Sequence, residues 1–189
     1  MTTVAAIQLG ATANRDKNLA RAEALVRDAA AQGARLVVLP EIFSAPFVAP
    51  EPDLEYFEWA ERSDGPSNTM VRSVSAELGI TVMSPIFEAS DLPGVYHNST
   101  YTFRRGELVH VYRKSHLPFS NGFPEKFFFR PGDQPPSVFS DGDLTVGTII
   151  CYERHFPELV GSSPSREPTS CASRWRVRAN PPRTCSSSS

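Results

Sequence analysis

Blocks of apolar positions separated by polar turns predict that the chain opens as strand, helix, strand. Thr3 to Leu9 reads as a short apolar strand running into Gly10. Asn14 or Asp16 can cap the helix that follows, in which Leu19, Ala22, Leu25, Val26 and Ala29 share one side while Arg21, Arg27 and Asp28 lie mostly elsewhere. Gly33 is placed to end it. Leu36-Val37-Val38-Leu39 is a continuous apolar run, as in a central strand buried on both faces. Such a unit calls for a right-handed crossover and an α/β fold, in which functional groups gather beyond the carboxyl ends of the strands.

Further on, residues 49–66 predict an irregular connection, helical in part and carrying Tyr56, Phe57 and Trp59, of the kind that lines a site. Ser67 to Leu78 reads as a second helix closed by Gly79, and Ile80 to Ser84 as the next strand. Pro85 predicts a strand end or a sheet edge at that point. From Asn98 the pattern becomes a meander: Ser99 to Phe103, a turn at Arg104-Arg105-Gly106, and Glu107 to Arg113. Asp141-Gly142 turns the chain into Leu144 to Ile150, an apolar strand that ends at Cys151, makes a short polar turn and starts a helix near Pro157, since proline suits the first helical position.

Composition narrows the function classes. A chain of 189 residues, 40% hydrophobic and 21% charged, supports one globular domain with a real core. Its net charge of -2 gives no electrostatic case for nucleic acid or an anionic membrane. No basic segment precedes an apolar run at the amino terminus and no stretch approaches a membrane span, so the expected location is cytoplasmic. Cys151, Cys171 and Cys185 form neither an even framework nor closely spaced ligand pairs, which disfavours disulfides and zinc.

Four residues carry chemistry by position. Cys151 sits where a strand-to-helix turn would project a nucleophile, although a cysteine there can equally be a small buried hydrophobe. Glu41 follows the Leu36–Leu39 run; desolvation between that strand and Ile42-Phe43 would make it a better base, and the plainer alternative is a surface glutamate. Lys114 ends a strand, where it can stabilise an oxyanion or simply be solvated. Glu125 precedes Phe127-Phe128-Phe129, of which at least two should be core, and beside so much aromatic surface it either reaches solvent or pairs with a cation such as Lys114.

Taken together, these segments resemble the nitrilase superfamily of carbon-nitrogen hydrolases over roughly residues 3–159. Pro40-Glu41 is similar to that family's glutamate motif, Tyr112-Arg113-Lys114-Ser115-His116-Leu117 to its lysine motif, and Ile149 to Glu158 to its cysteine motif; Glu125 to Asp133 matches a further family pattern. The resemblance implies a four-layer α-β-β-α sandwich that often assembles further into homo-oligomers. It assigns Cys151 as the nucleophile, Glu41 as the proton carrier, Lys114 with the Tyr152 amide as the oxyanion site, and Glu125 as the group that positions Lys114 and substrate. No metal or organic cofactor is implied. The Cys151-Tyr152-Glu153-Arg154-His155 form of the turn is closer to the carbamoyl-amide branch, that of β-ureidopropionase, N-carbamoyl amino acid amidohydrolases and N-carbamoylputrescine amidase. The partner expected is thus a small amide or N-carbamoyl compound, with Arg154 available to pair with a substrate carboxylate.

After Leu159 the resemblance stops. Residues 160–189 are rich in Ser, Arg and Pro, lack helical or strand period and end in four serines, a composition expected to be disordered. This predicts a carbon-nitrogen hydrolase portion over 1–159 whose C-terminal part is missing, followed by an unrelated tail. Because Ser, Arg and Pro codons read in another frame give apolar and small residues, a frameshift near codon 160 is the expected origin. The isolated chain is then expected to be poorly soluble and to have little activity.

Overall fold

The computed structural model describes residues 2–47, 51–135, 137–161 and 176–179. A first sheet takes its five strands in chain order: β1 (Thr3–Ala6), β2 (Ala34–Val38), β3 (Thr81–Ala89), β4 (Tyr96–Arg104) and β5 (Glu107–Arg113). The pairs β1·β2 and β2·β3 are parallel and are bridged in sequence by helices α1 (Arg15–Ala31) and α2 (Pro66–Leu78), whereas β3·β4 and β4·β5 are antiparallel. A second sheet has the order β6 (Val138–Asp141), β7 (Leu144–Gly147), β8 (Arg176–Ala179), all antiparallel. Two short helices complete the described chain, α3 (Glu125–Phe128) and α4 (Pro157–Gly161).

Local chemistry accounts for the boundaries. The Asn14 side chain accepts the Lys17 N–H at 2.9 Å and caps α1, a contact typically worth about 1 kcal/mol. Gly79 ends α2 in the left-handed region at φ 66°, where any other residue but asparagine is disfavoured. Between β4 and β5 both turn residues, Arg105 and Gly106, have positive φ, as a tight hairpin with right-twisted strands requires.

The continuous apolar run in β2 is buried on both faces as expected. On one face Val37, with Leu39 just beyond, joins Ala22, Val26 and Ala29 of α1 and Val71 and Val74 of α2. On the other, Leu36 and Val38 meet Met83, Phe139, Leu144 and Val146, so the second sheet packs there. Helices, sheet and second sheet are thus three successive layers of the sandwich.

Three sequence expectations need correction. β3 does not stop at Pro85 but continues to Ala89. The Met83 carbonyl accepts the Leu39 N–H, so its polar groups face β2, and Pro85 faces the same way. By then β2 has ended, and the chain re-engages that side only where Phe87 and Ala89 bond to Glu61, so the missing N–H of Pro85 falls in a gap between partners. Next, the strand before Cys151 stops at Gly147, opposite Val138, the first residue of β6. Finally, four residues of the stretch after Leu159 belong to β8, paired through backbone bonds to β7, although their composition has no strand period; residues 162–175 and 180–189 of that stretch lie outside the described residues. Part of the expected 49–66 connection also lies outside them, and its described part contains a 3₁₀ turn at Leu54–Trp59.

Candidate active site

Strand ends supply the first half of the site. Glu41 follows β2, and its neighbour Ile42 is held at φ 51°, a strained conformation for a β-branched residue, with its side chain locked among Phe87, Leu117, Phe128 and Phe129. Lys114 follows β5 and is tied to β4 by its backbone N–H, which donates to the Asn98 carbonyl at 2.9 Å. Glu125 opens α3, anchored by Phe128 and Phe129, which are 2% and 4% exposed, while Phe127 remains 41% exposed. Two of the three phenylalanines are therefore core.

These elements bring three charges into one dry cluster. The Lys114 ammonium donates to Glu41 Oε1 at 3.0 Å and to Glu125 Oε1 and Oε2 at 2.9 and 2.7 Å, and all three side chains are essentially without exposure. Asn98 Nδ2 donates to the same Glu41 Oε1 at 2.8 Å, leaving Oε2 buried with no hydrogen-bond partner among the described residues. Burial works against the Lys114 charge, but Glu41 and Glu125 outweigh it and hold the ammonium above its ordinary range. For Glu125 burial prevails over the pull of Lys114, and its carboxyl is pushed up to about 7.

The second half is the turn after β7. Ile150 is extended; Cys151 then starts a 3₁₀ turn, Cys151–His155, with φ 50°, in a left-handed conformation uncommon for any residue but glycine. The Cys151 thiol is half-buried, and it is near enough to Lys114 to contribute to the electrostatic pull on the ammonium. Tyr152 turns its ring toward His155 and Phe156 and lines an open cavity of about 400 Å³ with Ser115, His116 and Lys126.

Glu153 lies beneath this turn with no exposure. Its Oε2 accepts the Ile150 N–H at 2.8 Å. Its Oε1 accepts from Tyr112 Oη and the Ser115 N–H at 2.7 Å, from Ser115 Oγ at 2.8 Å and from the His116 N–H at 3.2 Å. One carboxylate thereby joins the Cys151 turn to the loop that follows Lys114.

The sequence model of the family described as "Carbon-nitrogen hydrolase" matches residues 3–162. The chain belongs to that family. Among curated relatives it is 33% identical over 162 residues to an N-carbamoylputrescine amidase of Solanum tuberosum, covering 85% of this chain and 53% of the relative. It is 35% identical over 173 residues to a nitrilase of Pyrococcus abyssi, covering 88% and 63%. The crystal structure of a carbon-nitrogen hydrolase from Helicobacter pylori G27 superposes with a TM-score of 0.75 at 26% identity, covering 82% of this chain and 53% of that one. The chain thus spans little more than half the length of the relatives it matches, and the α/β fold expected from its sequence is that of the nitrilase superfamily.

Within this carbon-nitrogen hydrolase fold, the structure gathers Glu41, Lys114 and Glu125 and sets Cys151 beside them. Tyr152 is on the rim at 38% exposure, and Arg154 is exposed, with no contact among the described residues linking it to the buried cluster. Sequence reasoning missed Asn98 and Glu153. For Asn98 no local signal exists, because its partner is 57 positions away. Glu153 had one: a glutamate placed to reach back to the amide three residues earlier, the capping pattern of a helical turn. Among the described residues no cluster of His, Cys, Asp or Glu suits a metal ion, and no helix is long and apolar enough to cross a membrane.

Proposed function

We propose that residues 1–159 carry the catalytic centre of a hydrolase that cleaves a non-peptide carbon-nitrogen bond, in an amide or N-carbamoyl compound, through a cysteine thioester. Cys151 Sγ attacks the amide or ureido carbon, and its proton passes to Glu41. The oxyanion of the tetrahedral species is held by Lys114 and the Tyr152 amide; losing one such donor commonly costs about 100-fold to 1,000-fold in rate. The carbon-nitrogen bond breaks as Glu41 delivers the proton to the leaving group, releasing ammonia. Glu41 then takes a proton from water, which attacks the thioester, and the thiol is restored. Glu125 holds Lys114 in place throughout.

The observation that carries this reading is the unpartnered Glu41 Oε2, a buried acceptor beside a lysine whose charge is fixed between two carboxylates. The name of the Solanum tuberosum relative favours N-carbamoyl amines among the substrates. Incubation with a panel of amides and N-carbamoyl compounds tests it, with ammonia as the readout and Cys151→Ala as the control. Release that depends on Cys151 is the expected result. The half-length match to relatives favours a second reading, an inactive portion of such an enzyme, or a module that pairs with a complete homologue. That reading prevails if no ammonia is released and iodoacetamide alkylates Cys151 no faster than Cys171 and Cys185.

A further inference from the structure

Glu153 is a buried carboxylate that, among the described residues, touches no cation within hydrogen-bonding distance. Its nearest basic group, His116 Nδ1, is 3.9 Å away, and the carboxylate is satisfied instead by three backbone N–H groups and two hydroxyls. Burying an acid without a charge partner is costly unless its lone pairs are filled, and here they are filled from two segments far apart in the chain. Ile150, on one side, immediately precedes the nucleophile, and Ser115, on the other, immediately follows the lysine. The bonded atoms are thus one residue from Cys151 and one from Lys114.

We infer that Glu153 is a positioning residue that sets the Cys151 thiol at its working distance from the Lys114 ammonium, with Tyr112 Oη and Ser115 Oγ as the arms that hold it. The inference rests on the reading of Cys151 as the nucleophile. Glutamine cannot replace the carboxylate, because its amide nitrogen would face either the Ile150 N–H or the group of donors around Oε1. The rest of the bonding explains why the turn tolerates its left-handed cysteine: the Ile150 amide is pinned just before the strained residue.

The test is peptide-resolved alkylation by iodoacetamide across a range of pH, with Cys171 and Cys185 as internal references. In the unaltered chain Cys151 should react faster than the references at pH 7; if it does not, the nucleophile reading fails and this inference falls with it. Given that preference, Glu153→Gln should slow Cys151 by about tenfold at pH 7 and move its profile to higher pH, with the references unchanged. The sign separates positioning from simple charge, since removing a nearby negative field would ease thiolate formation and move the profile to lower pH. A Cys151 profile that is unchanged or moved to lower pH in a folded Glu153→Gln chain overturns the inference. If that variant does not fold, Tyr112→Phe and Ser115→Ala decide, because each removes one arm without changing charge. Slower Cys151 alkylation, by about threefold, supports the inference, and an unchanged rate in both overturns it.

Discussion

The two halves of the site are held by different physics. The Glu41–Lys114–Glu125 cluster takes Glu41 and Lys114 from beyond strands of the five-stranded sheet and Glu125 from α3, and is locked by ion pairs of 2.7–3.0 Å. The Cys151 turn extends from the four-residue β7 of the smaller sheet, is half-buried, and is joined to the first half through the hydrogen bonds of Glu153. Charge that must stay put is fixed by packing and Coulomb attraction together. The Cys151 turn, proposed to carry the nucleophile, is set by a hydrogen-bonded hub that leaves the thiol partly open.

The largest expected loss of stability comes from Lys114→Ala, which leaves two carboxylates buried without their cation. Breaking a buried pair in this way costs about 3–5 kcal/mol, to be read as a lower denaturant midpoint, and hydrolysis should be lost with it. Glu153→Ala should follow, at about 2 kcal/mol or more, since the Ile150, Ser115 and His116 amides lose their acceptor. Equal midpoints for Glu153→Ala and the unaltered chain would break the comparison, because the hub would then bear no load.

A third measurement sharpens it through pH. Burial raises the Glu125 carboxyl from the ordinary 4.5 to about 7, so the folded chain binds this proton more readily than the unfolded chain does. Its contribution to stability is therefore greatest below about 4.5 and declines as pH rises toward about 7. Glu125→Gln should flatten unfolding free energy across that window. Lys114 acts in the opposite region: its raised value contributes stability that is full below 10.5 and lost as pH climbs through the folded value.

The smallest structural effect belongs to Arg154→Ala. Its side chain is exposed, so the midpoint should stay where it is, while the KM for N-carbamoyl-β-alanine rises if Arg154 pairs with the substrate carboxylate. An unchanged KM would remove Arg154 from substrate binding and leave the charge recognition to other groups on the rim, such as Lys126.

Much of this arrangement is written in local sequence. The apolar run Leu36–Leu39, the cap at Asn14, the closing Gly79 and the hairpin at Arg105-Gly106 each follow from the stereochemistry of a few adjacent residues. So does the placing of Glu41, Lys114 and Cys151 just after strands, where an α/β fold collects its chemistry. What local sequence does not carry is the partner of each polar group. Glu41 meets Lys114 across 73 positions and Asn98 across 57, and Glu153 reaches Tyr112 across 41. Pro85 misled for the same reason: whether a missing N–H matters depends on where β2 stops, which only the assembled sheet decides.

By itself, then, the sequence determined the order of the elements through β5, the residues that follow strands and the family they resemble, because backbone preference and hydrophobic period act over a few residues. Tertiary structure alone decided which acids are paired, that Glu41 keeps a free buried oxygen, and that Glu153 links the nucleophile's turn to the lysine's loop. These depend on contacts between distant segments, whose geometry exists only once the two sheets have packed.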